Sequence, residues 1–156
     1  MIKGLHHAAY RCRDTEQTRA FYEGFLGLPL VDAVAIGETK SGRKANVLHS
    51  FFAMADGSCL AFFEAPDEPF DFIEQRDFDL HIALEVDDTT LEAKFEQGKA
   101  TNIETRGISD HGLCRSIYFR DPNGYVVELA APVLGATPRP SAARATLAAW
   151  EAAKRR

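Results

Sequence analysis

The sequence predicts an α+β fold made of two tandem modules, each with the element order strand, helix, strand, strand, strand. The main observation is an internal repeat in the 156-residue chain. HAAYRCRDTEQTRAFYEG, from His7, matches HIALEVDDTTLEAKFEQG, from His81, at six of 18 positions without a gap. Further along, FFAMADGSCLAFF from Phe51 aligns with YFRDPNGYVVELA from Tyr118. A match in both parts of each half indicates a duplicated module.

The repeat sets the expected division of the chain. We expect module 1 at about 3–65, a linker over 66–78, module 2 at about 79–132 and a C-terminal helix at about 139–154. The linker should be irregular because it holds two prolines and several acidic residues. With 46% apolar residues, the chain is long enough to form a single domain with its own core.

Each predicted strand is a short apolar run bounded by turn residues. The expected strands are 5–12, 30–36, 46–54 and 58–65 in module 1, and 80–86, 102–108, 113–120 and 125–131 in module 2. The segments ADG at 55–57 and DPNG at 121–124 should form the tight turns that join the last two strands of each module.

Each predicted helix begins after an aspartate and ends near a glycine. Asp14 and Asp88 are candidate N-caps, since a carboxylate accepts hydrogen bonds from the free N–H groups of a first turn. Gly27 and Gly98 are candidate stop signals, because glycine readily adopts the left-handed conformation that follows many helices.

Composition and charge exclude several classes of function. The formal net charge is −5 and neither Lys nor Arg forms a long run, which argues against binding to nucleic acid or to an anionic membrane. The sequence shows neither a transmembrane span nor a signal peptide. Its three cysteines are far apart, as expected of reduced thiols in a cytoplasmic protein.

Three residues form a candidate metal site: His7, His81 and Glu128. The two histidines are repeat mates at the start of a strand, so a pseudo-twofold relation should bring them near each other. Glu128 lies four residues after the turn glycine of its module, where module 1 has Ala61 instead. Two histidines and one carboxylate with open positions form a facial triad that binds divalent metals. His6 is the alternative to His7, because a shift of one residue in register would exchange them.

Four segments of the chain carry a resemblance to a known superfamily: LHHAAYRCRD, FYEGFLGLPL, DLHIALEV and YFRDPNGYVVEL. They resemble the vicinal-oxygen-chelate superfamily of glyoxalase I, extradiol dioxygenases, fosfomycin-modifying transferases and bleomycin-resistance proteins. The resemblance covers about residues 3–132 and implies paired βαβββ modules whose mixed sheets curl around a metal-binding cup. It implies ligands at His7, His81 and Glu128. Because Ala61 stands where glyoxalase I has a fourth ligand, it favours the three-ligand branches.

Within that superfamily, HGLCRSIYFRDPNGYVVE is similar to the signature of extradiol dioxygenases. The similarity implies that His111 and Tyr118 hydrogen-bond the oxygens of the substrate. Extradiol enzymes usually also carry an acid–base histidine on the strand that corresponds to 58–63, and this chain has none there. His49 is an alternative, because it shares a strand face with Phe51, the repeat mate of Tyr118.

The expected activity is therefore a metal-dependent dioxygenase that acts on a catechol-like aromatic small molecule. Fe(II) is the expected metal, with Mn(II) or Zn(II) as alternatives. The substrate would bind the metal through two adjacent oxygens, while His111 and His49 move protons and Tyr118 orients the substrate. Neighbouring phenylalanines are expected to line an aromatic pocket, although half of them must face the core by alternation: Phe51, Phe52, Phe62 and Phe63.

Three other functions remain open. The first is a glyoxalase-type lyase or isomerase. Glu64 is a candidate base for it, but by strand alternation Glu64 faces the side opposite to Ala61 and so is not expected to reach the metal. The second is a non-catalytic binding protein of the bleomycin-resistance kind, which would need no triad. The third is a fosfomycin-type transferase, and it ranks lowest because no basic cluster surrounds Glu128 to hold a phosphonate.

The C-terminal helix suggests a homodimer. Its apolar side, with Leu147 and Trp150, is expected to face a partner. The metal cup is completed either within one chain or across the dimer, and the repeat does not distinguish the two arrangements.

Overall fold

The structure, a computed structural model, describes residues 1–137 and 139–154. The elements of module 1 are β1 His7–Cys12, α1 Thr15–Arg19, a π-helical segment Ala20–Leu26, β2 Leu30–Glu38, β3 Lys44–Ala53 and β4 Cys59–Glu64. Those of module 2 are β5 His81–Glu85, α2 Asp88–Ala100, β6 Thr105–Asp110, β7 Cys114–Arg120 and β8 Val126–Pro132. A final helix, α3, spans Pro140–Lys154. The order confirms the predicted α+β fold of two βαβββ modules.

Each module forms its own four-stranded mixed sheet. The strand orders are β1-β4-β3-β2 and β5-β8-β7-β6, so the two sheets share one topology. The first and last strands of each module pair in parallel, and the other neighbours pair antiparallel. In the described part of the chain the two sheets stay separate and do not close into one barrel.

Each sheet buries one face against the helices and leaves the other open. On β4, Leu60 and Phe62 are buried in the core. The cores of the modules are continuous, because Phe25 packs edge-on against Phe119 with ring centroids 5.0 Å apart. We call the opposite side of each sheet its open face. In the first strands it carries His7, Ala9 and Arg11 of β1, and His81, Ala83 and Glu85 of β5.

One predicted N-cap is confirmed and the other is wrong. The Asp14 carboxylate accepts a hydrogen bond from the Gln17 N–H at 2.7 Å, as expected of a cap. In module 2 the cap is Asp87, which accepts from the Thr90 N–H at 2.6 Å, and Asp88 is the first residue of α2. Two adjacent aspartates offer the same chemistry, so only the backbone conformation distinguishes them.

The prediction that Gly98 ends the second helix is also wrong, since α2 continues to Ala100. Gly98 is buried inside α2 for a packing reason. A Cβ at this position would lie 2.6 Å from the Phe119 ring and closer still to the Thr105 hydroxyl. In module 1, Gly27 does end the helical segment, in the left-handed conformation with φ 89°.

The DPNG turn joins the two modules through a buried polar network. Asp121 accepts hydrogen bonds from the backbone N–H groups of Asn123 and Tyr125, both at 2.8 Å. It also accepts one from the Tyr22 hydroxyl of module 1 at 3.0 Å. The Asn123 side chain accepts from the Arg13 N–H at 2.8 Å, which ties the turn to the end of β1. Burial raises the pKa of Asp121 above its ordinary value.

The segment 66–78 between the modules is irregular but packs against module 2. The Gln75 N–H donates to the Gly124 carbonyl at 2.9 Å. Gly124 has φ 97°, and a Cβ there would lie 2.5 Å from the Ile73 carbonyl oxygen. The turn glycine therefore allows both the tight turn and the close approach of this segment.

Helix α3 packs little against the rest of the chain. Leu147 and Trp150 are 61% and 65% exposed, and none of the helix residues that the structure describes is buried. Among the described residues, no helix combines the length and the apolar character needed to cross a membrane.

We predict that Gly98→Ala destabilises the protein, whereas its repeat mate Gly24 tolerates the same change. The added methyl at Gly98 would clash with Phe119, and we expect a loss of about 1–3 kcal/mol in unfolding free energy. At Gly24 a Cβ would meet nothing within 4 Å, so Gly24→Ala should be neutral or stabilise by up to about 1 kcal/mol. Urea unfolding of both variants tests the pair, and equal losses would contradict it.

We further predict that Asp121 contributes a stability that decreases as pH rises. The pKa of Asp121 is higher in the folded state than in the unfolded state. Its contribution to the unfolding free energy is therefore complete at pH values below the unfolded-state pKa, and it is lost as the pH rises through the folded-state pKa. The uncharged variant Asp121→Asn lacks this dependence. Unfolding free energies measured at about pH 4 and about pH 7 should show the wild-type advantage shrinking with pH. An advantage that grows over the same interval would contradict the assignment.

Candidate functional site

The predicted histidine ligands occupy equivalent positions in the two modules. His7 begins β1 opposite Cys59 of the parallel strand β4, and His81 begins β5 opposite Val126 of β8. The shared register makes His7, not its neighbour His6, the counterpart of His81. Both side chains lie on the open faces of their sheets and are exposed.

The register also shows that Ala61 and Glu128 are counterparts. Ala61 lies opposite Phe51 of β3, and Glu128 lies opposite Tyr118 of β7. Module 1 therefore has no carboxylate at the position that Glu128 occupies in module 2. Glu64 does not replace it, because its carboxylate faces the core side and accepts from the first N–H of α1 at 2.6 Å.

His81 and Glu128 lie side by side on the open face of module 2. His81 Nε2 is 3.2 Å from Glu128 Oε2. On its other side, His81 Nδ1 is 2.8 Å from the backbone carbonyl of Asp77. The second oxygen of Glu128 accepts a hydrogen bond of 2.5 Å from the hydroxyl of Ser116, which is fully buried. The Glu128 side chain is 10% exposed and that of His81 is 40% exposed.

The chemistry of this pair fits a bound cation. A carbonyl oxygen only accepts hydrogen bonds, so His81 Nδ1 must carry the hydrogen in its contact with Asp77. In the neutral imidazole, Nε2 then presents a lone pair to the negative oxygen of Glu128. Two acceptors 3.2 Å apart need a bridging hydrogen or a metal ion. A proton on either partner would make a hydrogen bond or an ordinary ion pair, and a metal ion would bind both. The exposed side of His81 leaves room for further ligands.

His7 lies in a different environment, on the open face of module 1. Its ring is 5.7 Å from that of Phe51, and its Nδ1 is 2.8 Å from Nδ1 of His6. Within residues 1–137 and 139–154, no group of three or more His, Cys, Asp and Glu side chains comes together to hold a metal. His7 is therefore not part of a cluster with His81 and Glu128 in the described residues of one chain, and its role as a metal ligand stays a prediction.

His111 and Tyr118 form a hydrogen-bonded pair beside Glu128. His111 Nε2 is 2.9 Å from the Tyr118 hydroxyl. Burial and the negative charge of Glu128 raise the pKa of Tyr118, so its hydroxyl stays protonated at neutral pH and can donate a hydrogen bond. The similarity of sequence implied that these two residues act together, and the structure places them in contact.

His49 lies near His7 in module 1. His111 and Tyr118 belong to module 2. It stacks on Phe63 with ring centroids 3.7 Å apart, and its ring lies 6.2 Å from that of His7. Its Nδ1 is 3.2 Å from the Phe62 carbonyl, which leaves Nε2 free to point away from the strand. Phe51 and Phe63 thus line the open face, whereas Phe52 and Phe62 are core residues.

Two further residues of this site were not found from the sequence. Asp77, in the segment between the modules, orients His81 through its carbonyl and binds the Arg106 guanidinium through its carboxylate at 2.7 and 2.9 Å. The hydrogen bond from Arg106 lowers the pKa of Asp77. Arg106 in turn lies 5.4 Å from the centre of the Tyr118 ring. No short-range pattern predicts these contacts, because Asp77 precedes its module and Arg106 is 29 residues further along.

A large cleft of about 1340 Å³ is lined by residues of both modules, but Glu128 and Tyr118 are not among them. It is lined mainly by core-side residues such as Tyr10, Leu60 and Leu84, and it includes His81. We assign the chemistry to the open face of module 2, where the polar groups converge, and not to this cleft.

Comparisons with known proteins agree with the fold. The sequence profile of the Glyoxalase/Bleomycin resistance protein/Dioxygenase superfamily matches residues 4–129. The metallothiol transferase FosB of Shouchella clausii (strain KSM-K16) is 27% identical over 140 residues, which cover 83% of this chain and 80% of the relative.

Solved structures of fosfomycin resistance proteins are also similar. A monoclinic crystal form of FosX from Listeria monocytogenes is 26% identical with a TM-score of 0.66, and the match covers 86% of this chain and 97% of FosX. A variant of the same FosX, complexed with Mn(II) and 1S,2S-dihydroxypropylphosphonic acid, is 25% identical with a TM-score of 0.63, over 86% and 96% of the two chains.

These relatives belong to the branch that the sequence ranks lowest, and they do not support the expected dioxygenase or its Fe(II). They do agree with the predicted fold and with the superfamily that the sequence motifs indicate. The chain belongs to the glyoxalase, bleomycin resistance protein and dioxygenase superfamily.

Proposed function

We propose that the chain is a divalent-metal-dependent enzyme that acts on a small molecule able to bind the metal through oxygen. The observation that carries the proposal is the contact between His81 and Glu128, in which two acceptors lie 3.2 Å apart with His81 oriented by a carbonyl. Mn(II) is the metal to test first, because a similar FosX structure contains it, and Fe(II) is the second choice. The bound metal would polarise a substrate oxygen as a Lewis acid.

We propose that a second copy of the chain supplies the third ligand. His7 is exposed on the open face of module 1. On the open face of module 2, no third ligand joins His81 and Glu128 among residues 1–137 and 139–154. In a homodimer that places module 1 of one copy against module 2 of the other, two sites would form by symmetry. Each would use His7 of one copy with His81 and Glu128 of the other.

The proton-handling groups in this proposal are Tyr118 and His111. The Tyr118 hydroxyl donates to an oxygen of the bound substrate, and His111 Nε2, at 2.9 Å, takes up or returns the proton. Glu128 lies opposite Tyr118 on the neighbouring strand, which keeps the ligand and the hydroxyl on one side of the sheet. His49 would belong to the module 1 side of the same site, facing the substrate from the partner subunit.

For the reaction, we propose first the addition of a nucleophile, water or a thiol, to a small electrophile such as an epoxide. The FosB relative is named a metallothiol transferase, which supports transfer to or from a thiol. A phosphonate is a poor match to this site because the nearby arginines are already paired: Arg106 with Asp77 at 2.7 Å and Arg120 with Glu104 at 2.8 Å. We therefore propose a substrate with less negative charge.

A second candidate is an extradiol-type dioxygenase with a catechol-like substrate. One observation supports it: His111 and Tyr118, which the resemblance implies would hydrogen-bond the substrate oxygens, lie together, with His111 Nε2 2.9 Å from the Tyr118 hydroxyl. The aromatic side chains of Phe51 and Phe63 on the open face of module 1 would suit an aromatic ring.

We predict that metal binding depends on residues from two chains. Glu128→Gln and His7→Ala should each weaken Mn(II) binding by more than about 100-fold, measured by isothermal titration calorimetry. When His7→Ala and Glu128→Ala chains are expressed together, only the mixed dimers regain an intact site. Random pairing then restores about a quarter of the wild-type number of sites.

Complete sites within one chain would give no recovery on co-expression, which would reject the shared site but keep the metal. Unchanged Mn(II) affinity in Glu128→Gln would reject the metal site itself. Circular dichroism of each variant shows whether a loss of binding reflects misfolding.

We predict that Mn(II)-loaded protein consumes an uncharged epoxide in the presence of water or a thiol at least about tenfold faster, in kcat/KM, than it consumes fosfomycin. Tyr118→Phe should lower kcat by about 100-fold while Mn(II) affinity stays within about threefold of wild type. Product formation is followed by mass spectrometry.

In the matched arm, Fe(II)-loaded protein is given catechols under oxygen. Substrate-dependent oxygen uptake, lost in Tyr118→Phe, would establish the second candidate instead. Turnover in neither arm would reject both reactions.

A further inference from the structure

We infer that the ion pair between Asp77 and Arg106 is a positioning device that couples the metal ligand His81 to Tyr118. The inference rests on the proposed function, because it assigns a role to these residues at the same metal site. It assigns no metal ligand beyond those already named. Asp77 and Arg106 act through their neighbours and do not touch the reacting atoms.

On the metal side, the link runs through the backbone of Asp77. Its carbonyl accepts from His81 Nδ1 at 2.8 Å and so fixes which nitrogen of His81 is free. Asp77 lies in the irregular segment 66–78, outside any strand of the sheets. A turn holds the main chain around Asp77, because the Arg76 carbonyl accepts from the Asp79 and Leu80 N–H groups at 2.9 and 3.2 Å. The Asp77 side chain is bound by Arg106, which adds a second restraint on the position of the Asp77 carbonyl.

Arg106 forms a bidentate ion pair with Asp77. Two guanidinium nitrogens contact the two carboxylate oxygens at 2.7 and 2.9 Å. A planar guanidinium fork matched to a carboxylate restricts orientation more than a single hydrogen bond does. The pair therefore limits both the distance and the rotation of the Asp77 main chain relative to β6.

On the other side, the link runs to the proton-handling pair. Arg106 of β6 lies opposite Tyr118 of β7 in the strand register. Its guanidinium is 5.4 Å from the centre of the Tyr118 ring, within the range of a cation–π contact. One arginine thus contacts the carboxylate of Asp77, whose backbone carbonyl orients His81, and the ring that carries the Tyr118 hydroxyl.

Stability alone does not explain this arrangement. The Arg106 and Asp77 side chains are 41% and 34% exposed, and ion pairs at such exposure add at most about 1 kcal/mol to folding. Arg106 also has a second carboxylate within reach, Glu104 at 3.4 Å. Loss of the Asp77 carboxylate would leave Arg106 free to shift toward Glu104 and away from its position over Tyr118.

The test measures Mn(II) affinity in the full-length protein by calorimetry, for Asp77→Asn and Arg106→Gln. Asp77→Asn keeps the carbonyl that accepts from His81 but loses the charged partner of Arg106. We expect each variant to bind Mn(II) about 10–100-fold more weakly, the range typical when a group that orients a metal ligand is lost. The double variant should bind no more weakly than either single variant, because both remove one interaction.

A matched control is available in the same segment. Arg76 forms an exposed side-chain ion pair with Asp79 at 2.7 Å in the same turn, and substitution of its side chain keeps the backbone hydrogen bond between these two residues. Arg76→Gln should therefore leave Mn(II) affinity unchanged. Arg106→Lys should give an intermediate affinity, because lysine restores the charge but not the bidentate fork.

The outcomes separate this inference from the proposed function. Wild-type affinity in both Asp77→Asn and Arg106→Gln, with loss in Glu128→Gln, would overturn the positioning role and keep the metal site. Equal affinity in wild type and Glu128→Gln would reject the proposed function. The positioning role also fails if affinity falls only together with the melting temperature of the metal-free protein, since that result indicates a structural role.

Discussion

The parallel pairing of the first and last strands in each module is the constraint on which the rest of the structure depends. This pairing sets β1 against β4 and β5 against β8 with the same register. Because side chains alternate along a strand, the register decides which residues join the core and which lie on the open face. A shift by one residue would bury Glu128 in the core and expose Leu129. The candidate metal ligands and the core are therefore specified together.

On the open face of module 2, His81 and Glu128 direct two hydrogen-bond acceptors toward each other. A proton or a metal ion between them would relieve the repulsion. His81 is oriented by the Asp77 carbonyl, and Glu128 by a hydrogen bond from the buried Ser116 hydroxyl. Both are thus held with their acceptors toward each other, at a cost that a proton or a metal ion offsets. His7 on the other module completes the same chemistry only if two modules face each other. Under the proposed function, each module carries half of a metal site, and assembly of two copies would complete it.

The chain is similar to FosB and FosX, and this similarity does not identify its substrate. The arginines around Tyr118 are engaged by Asp77 and Glu104, so the local charge is balanced before any ligand arrives. A site of this kind recognises a substrate mainly through metal-bound oxygens and hydrogen bonds, and less through charge. In the proposed function, the Tyr118 hydroxyl, in contact with His111, would donate to one such oxygen.

The sequence by itself determined the fold and the equivalence of the two histidines, because duplication repeats the hydrophobic alternation that specifies each strand. It also identified Ala61 as the counterpart of Glu128 and placed His111 with Tyr118. It misassigned the cap at Asp88 and the stop at Gly98, since neighbouring aspartates and buried glycines differ only in their surroundings. Only the tertiary structure decided that His7 stands apart from His81, and that Asp77 and Arg106 join the site. Contacts between distant segments depend on how two sheets pack, and no periodicity within one segment contains that information.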